Sequence, residues 1–135
     1  MKKGFTLIEL LVVIGVMAVI AAGVIATINP QQKILQARDA QSQSGVGQLA
    51  GALQSAAAVS QTGVYPASLA ELVTAGELTV LPAAPTGSSW NATGLGTAGP
   101  VCVSAAMQAT RNTAVGTLWC WCSNLGQASL RNGCP

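Results

Sequence analysis

The chain contains 135 residues, of which 50% are hydrophobic and 7% are charged, and its formal net charge is +2. The low fraction of charged residues argues against a disordered tail protein, and the net charge of +2 is too small to suggest a nucleic-acid scaffold. Histidine is absent, and the carboxylates are Glu9, Asp39, Glu71 and Glu77. Because most acid–base, nucleophilic and metal-dependent reactions need a richer set of such groups, we expect no enzyme activity, catalytic residue, cofactor or metal site.

Apolar residues are concentrated at 5–28, where Glu9 is the one ionisable side chain. At about 1.5 Å per residue this segment forms a helix of roughly 36 Å, enough to cross the roughly 30 Å hydrocarbon core of a bilayer. Lys2 and Lys3 precede it and favour a cytoplasmic N-terminus. We therefore predict a transmembrane helix. A conventional secretory signal, whose apolar run would be shorter, is an alternative, and a plain membrane anchor is the simplest use of such a helix.

Glu9 is the unusual residue of the segment, because a carboxylate in the apolar part of a bilayer costs several kcal/mol unless it is paired or reaches the interface. Cleavage after Gly4 would give Phe5 a free α-amino group, which can pair with Glu9 of its own chain or of a neighbour. Pairing between chains would set the register of an assembly, since every copy carries both groups. The alternative is a glutamate that snorkels to the membrane surface.

Residues 2–14, KKGFTLIELLVVI, resemble the class III signal of type IV pilins and type II secretion pseudopilins. The resemblance extends over about residues 1–40. It implies that residues 1–4 are a leader removed by a prepilin peptidase, which cleaves after Gly4, and that Phe5 is N-methylated. It also implies that Glu9 registers subunits during assembly, and that Pro30 is a helix breaker where the helix loosens in a filament.

The same resemblance implies an α+β, pilin-like fold, in which a long N-terminal helix supports a small antiparallel sheet. The implied partners are the prepilin peptidase and N-methyltransferase, copies of the chain and other (minor) pilins, the assembly platform and, indirectly, its ATPase. The precursor would span the cytoplasmic (inner) membrane once. The assembled subunit would lie in an extracellular pilus or a periplasmic pseudopilus.

Beyond the apolar segment, the spacing of apolar residues returns to about 3.6 residues. Pro30 lacks an N–H and crowds the preceding turn, so we expect a kink or local unwinding there. The pattern then predicts an amphipathic continuation of the helix over residues 29–60. Residues 61–135 are left to form a small globular head.

Within the head, Ser68 and Glu71 have the spacing of a capping box and Gly76 is a plausible stop, which predicts a helix of about two turns. Residues 83–100 are rich in Ala, Gly, Ser, Thr and Pro and indicate an exposed loop that holds Trp90.

Two alternating segments later in the head predict two strands. They are Val101–Thr110 and Thr117–Ser123, joined around Asn112. Pairing symmetrically about Asn112 sets Cys102 opposite Cys122, whereas a shift of two residues sets Cys102 opposite Cys120. Both registers keep the same side chains on each face.

The four cysteines predict two disulfides, because a small extracytoplasmic domain commonly needs covalent cross-links. Cys120 and Cys122 are neighbours on one face of a strand and do not readily meet. We therefore expect Cys102 to pair with Cys120 or Cys122, and Cys134 to pair with the remaining one. A zinc site is the alternative, but the cysteine spacing lacks the short paired loops of zinc proteins.

Several functions remain open at this stage. We favour a pilus, which serves adhesion, twitching motility or DNA uptake, over a type II secretion pseudopilus. Pseudopilins often bind calcium through C-terminal acidic residues, and no aspartate follows Asp39. A non-assembling, membrane-anchored binding module is a different class, in which Trp90, Trp119 and Trp121 would stack on a ligand. We expect these tryptophans to pack in the core or on a strand face instead, and we expect nucleic acid as a partner only in a competence pilus.

Overall fold

The structure is a computed structural model that describes residues 4–113 and 116–134. Most of the predicted leader therefore lies outside the described residues. The fold is α+β, as predicted, and the chain divides into two compact units, with the boundary between Lys33 and Ile34. The elements are α1 (Leu7–Thr27), α2 (Pro30–Val59), α3 (Glu71–Thr74), β1 (Trp90–Thr93), β2 (Cys102–Ala106), α4 (Thr110–Thr113), β3 (Leu118–Cys122) and β4 (Ala128–Arg131).

The predicted interruption of the N-terminal helix is present. Helix α1 ends at Thr27 and α2 begins at Pro30. Proline suits the first position of a helix, because its missing N–H would have no partner inside the helix there. The Asn29 side-chain oxygen accepts a hydrogen bond from the backbone N–H of Gln32 at 3.4 Å and so helps to start α2.

Helix α2 ends at Val59, close to the predicted end, and one face of it is buried. The buried positions recur every three to four residues, as expected for an amphipathic helix. They are Asp39, Ser42, Gly45, Val46, Leu49, Ala50, Ala52 and Leu53. This face forms one side of the core of the second unit.

The other side of the core is a four-stranded antiparallel sheet in the order β1-β2-β3-β4. Strand β2 pairs with β3 so that Cys102 faces Cys122 and Val103 faces Trp121. This is the register symmetric about Asn112. Side chains alternate between the faces of the sheet, so Val103 and Trp121 point to the core while the two cysteines lie on the opposite face.

Three expectations about the head are wrong. The segment expected to be an exposed loop contains strand β1, and Trp90 packs on the core. Strand β2 ends at Ala106 rather than at Thr110, where α4 begins, and strand β4 was not predicted. Helix α3 spans four residues rather than about two turns, because Ser68 makes no capping bond. The N-cap position belongs to Ala70, which has no side chain able to cap.

The four cysteines form two disulfides, Cys102–Cys122 and Cys120–Cys134. This is one of the two arrangements that the sequence favoured, and it leaves no free cysteine for a zinc site among the described residues. The first bond joins partners on adjacent strands. The second joins β3 to the segment after β4, so the C-terminal end of the chain is tied to the sheet.

Removal of the second disulfide offers a test of its contribution to stability. Closing the loop between Cys120 and Cys134, a separation of 14 residues, stabilises a small domain by about 2–4 kcal/mol. We expect Cys120→Ser/Cys134→Ser to lower the free energy of unfolding of the detergent-solubilised chain by that amount. Denaturant unfolding followed by tryptophan fluorescence measures this change. An unchanged midpoint would show that the tail contributes nothing to the fold.

Gly45 provides a sharper test, because a Cβ there would overlap Cη2 and Cζ2 of the Trp90 indole. The indole is held by its N–H, which donates to the Pro82 carbonyl at 2.6 Å. We expect Gly45→Ala to destabilise the head by about 1–3 kcal/mol through overpacking. The matched control is Gly47→Ala, where nothing lies within 4 Å. That control should stabilise the helix by about 0.5–1 kcal/mol, and equal effects of the two changes in thermal unfolding would contradict the packing.

Candidate assembly site

Helix α1 presents an apolar surface that its own chain leaves uncovered. None of its residues is buried. Its leucine, isoleucine, valine and methionine side chains are all at least half exposed, from Leu7 at 82% to Val24 at 51%. The helix is long and apolar enough to cross a membrane. Such a surface requires either lipid or other protein chains around it.

Glu9 lies one turn into this surface and is bound by Thr6. Thr6 is the N-cap of α1, and its hydroxyl oxygen accepts a hydrogen bond from the Glu9 backbone N–H at 3.3 Å. In return the Glu9 carboxylate accepts from the Thr6 backbone N–H at 2.9 Å and from the Thr6 hydroxyl at 2.6 Å. This reciprocal arrangement is a capping box.

The capping box bears directly on what Glu9 can bind. Both bonds from Thr6 go to the same oxygen, Oε2. The other carboxylate oxygen receives neither bond, so it remains an acceptor for a further donor. Sequence reasoning assigned Glu9 a cationic partner and overlooked Thr6, although the spacing Thr6-x-x-Glu9 is itself the signature of a capping box.

Asp39 is a second carboxylate whose role sequence reasoning missed. It is 1% exposed on the buried face of α2. Its oxygens accept hydrogen bonds from the backbone N–H groups of Gln108 at 2.7 Å and Ala109 at 2.9 Å, and from the Asn112 amide at 2.5 Å. The segment between β2 and β3 is thereby fixed to α2. The signal in the sequence is a carboxylate in helical register with Val46 and Leu49, which are core residues.

The three tryptophans lie in the hydrophobic core or pack against it. Trp121 belongs to the buried core, and Trp90 and Trp119 pack against it. The expectation that they serve packing is confirmed, and a binding module built on stacked tryptophans loses its main support.

Residues 1–25 match the family model described as "Prokaryotic N-terminal methylation motif". The chain has a prepilin-like N-terminus. The matched stretch contains Gly4, Phe5 and Glu9 and ends inside α1, so it concerns the signal and the apolar helix rather than the head. No curated protein and no solved structure matches the chain.

The prepilin-like N-terminus implies processing by a prepilin peptidase and assembly with other pilins, and it suggests anchoring in a membrane. Proteins with this motif are generally structural rather than enzymatic. The N-terminal motif thus supports a type IV pilin-like or pseudopilin precursor.

The hydrogen bonds that Asp39 accepts can be tested through their contribution to stability. Asp39→Asn replaces one acceptor oxygen by a donor that faces backbone N–H groups, so we expect it to destabilise the head by about 2–4 kcal/mol. Gln54→Ala on the exposed side of the same helix is the control, with an effect of less than about 0.5 kcal/mol. Thermal unfolding of the detergent-solubilised chain measures both. Similar melting temperatures for wild type and Asp39→Asn would show that the hydrogen bonds to Asp39 do not stabilise the head.

Proposed function

We propose that the protein is a structural subunit of a type IV pilus-like filament. In this proposal the chain is cut after Gly4, N-methylated on Phe5 and assembled through α1. The observation that carries the proposal is a wholly exposed apolar helix that contains a single carboxylate and bears a methylation motif.

The apolar surface of α1 explains why the subunit would be held in a membrane first and buried in a filament later. Burial of a large apolar side chain from water is worth about 1.5–3 kcal/mol. Lipid satisfies such side chains, and so do the α1 helices of other copies. Transfer from membrane to filament therefore exchanges one apolar environment for another, without exposing the helix to water.

Glu9 would make that exchange specific. In lipid the capping box with Thr6 satisfies part of the carboxylate and lowers the cost of holding it there. Cleavage after Gly4 would convert the Phe5 amide nitrogen into an amine one residue before the N-cap. The oxygen of Glu9 that Thr6 leaves open can then accept from the Phe5 amine of a neighbouring copy, which would fix the register of the two helices.

We favour a pilus over a secretion pseudopilus. Two disulfides in a small head and a C-terminal segment tied to the sheet suit a surface exposed to shear and proteases. Adhesion, twitching motility and DNA uptake are the roles that such a filament would serve.

Three variants in a strain that expresses the full chain test the proposal. Glu9→Ala removes both the charge and the capping acceptor, Glu9→Gln keeps an acceptor oxygen but removes the charge, and Thr6→Ala removes the cap but keeps the charge. We expect both Glu9 variants to lower the amount of filament that shearing releases from the cell surface by at least about tenfold, as expected for the loss of a desolvated charge pair. Thr6→Ala should have a smaller effect.

Processing is the internal control, because each variant should still yield a chain that begins at Phe5. Filaments that form equally well without the Glu9 charge would contradict the proposal. A chain that stays uncut, together with surface preparations that lack filaments, would favour a plain membrane anchor.

A further inference from the structure

The second unit, residues 34–135, carries its arginines together at one end of α2. Arg38 donates a hydrogen bond at 3.5 Å to the Gln108 side chain, in the segment that follows β2. Arg111 lies in α4, which continues from that segment. Arg131 pairs with Leu118, at the end of the sheet where β2 ends and β3 begins. We call this part of the molecule the basic end.

The glutamates of the unit lie together at the opposite end of α2. Glu71 and Glu77 line a groove of about 310 Å³, whose remaining wall includes Ala56 and Val59 in the last turn of α2. Along the helix, Val59 is about 30 Å from Asp39, which marks the level of the basic end. We call this groove the acidic groove.

The two ends are oppositely charged. The basic end contains three arginines and the buried Asp39, a net charge of +2, and the acidic groove contains two glutamates, a charge of −2. Asp39 is held by two backbone N–H groups and the Asn112 amide, so its charge is already engaged within the chain.

The acidic groove has the chemistry that accepts an arginine side chain. Val59 is 74% exposed and, with Ala56, gives the groove an apolar wall. An arginine can lay its aliphatic stem on such a wall and direct its guanidinium to carboxylates. Glu71 already accepts from the Ala67 N–H at 2.6 Å, which holds it in position and leaves Glu77 as the more adaptable of the two.

Arg111 is the arginine best placed to enter the groove of another molecule. It is exposed, and its guanidinium has no hydrogen-bonding partner among the residues that the structure describes. Arg38 and Arg131, by contrast, already donate to side chains of their own chain, the latter to the Ser129 hydroxyl at 3.0 Å.

We propose that Arg111 of one copy occupies the acidic groove of the next copy, so that successive heads are joined end to end. The contact is heterologous, since the basic end of each copy meets the acidic groove of another. A repeated contact of this kind generates an open filament when its rotation does not close a ring. The inference rests on the proposed filament. It adds a contact between the heads of successive copies to the packing of their α1 helices.

A zero-length cross-link tests this pairing in filaments of the full chain. Arg111→Lys keeps the charge and provides an amine that carbodiimide joins to a carboxylate in direct contact. We expect treated filaments to contain peptides that link position 111 to Glu77 or Glu71. In filaments mixed from isotopically labelled and unlabelled chains, some of these cross-linked peptides should join a labelled to an unlabelled segment, which a link within one chain can never do.

The matched control is Arg131→Lys, which places the same amine at the basic end, at a position already bonded within its own chain. It should give at most about a tenth of the cross-link, because a zero-length reagent requires direct contact between charge partners. Two results would overturn the end-to-end contact alone, in filaments that form and depend on Glu9. One is that no cross-link from position 111 to Glu71 or Glu77 is found. The other is that the cross-link from position 131 is as abundant as the one from position 111. A wild-type chain that forms no filaments would overturn the proposed function together with it.

A charge exchange gives a second measure. Arg111→Glu and Glu77→Arg should each lower the yield of filaments that survive shearing by about tenfold, and the double variant should restore most of it. Intact disulfides and unchanged thermal unfolding of each variant show that the head is folded. A yield of shear-resistant filaments from the single variants equal to that of wild type would contradict the pairing of Arg111 with Glu77.

Discussion

The constraint on which the rest of the molecule depends is an apolar helix with no partner in its own fold. Helix α1 buries none of its residues, although nearly all of them are apolar. In water such a surface would be strongly destabilising, so the chain needs either a bilayer or other copies of α1 around it. Glu9 sharpens this constraint, because a carboxylate inside that surface is tolerated only with hydrogen-bonding partners. Thr6 supplies two of them and leaves one oxygen available.

Among the residues that the structure describes, the core of the head contains no residue of α1. Its core consists of residues from α2, the sheet and the segments between them. Asp39 fixes the segment between β2 and β3 to α2, and two disulfides hold the opposite face of the sheet. Under the proposed function, α1 exchanges lipid for neighbouring helices while these contacts within the head stay the same.

The sequence predicted the elements that have strong periodicity and missed those that depend on tertiary contacts. The two long helices and the break at Pro30 follow from residue spacing and proline chemistry, whereas spacing left two β2–β3 registers open and the structure has the one symmetric about Asn112. Strand β1 is short and lies in a segment of turn-forming residues, and its position depends on pairing with β2 and on Trp90 packing against Gly45. Helical spacing indicates that Asp39 lies on the buried face of α2, but its hydrogen-bonding partners are about 70 positions away and no local pattern identifies them. Within the candidate site, the assembly role of Glu9 stays a prediction, and its bonds to Thr6 were not predicted.

The most direct test of the central claim is imaging of filaments purified from the cell surface, combined with mass spectrometry of the N-terminus of this chain within them. The account predicts long fibres in which the chain begins at an N-methylated Phe5. An intact chain that starts at Met1, recovered from membranes as a single-pass protein while no fibre contains it, would contradict the account.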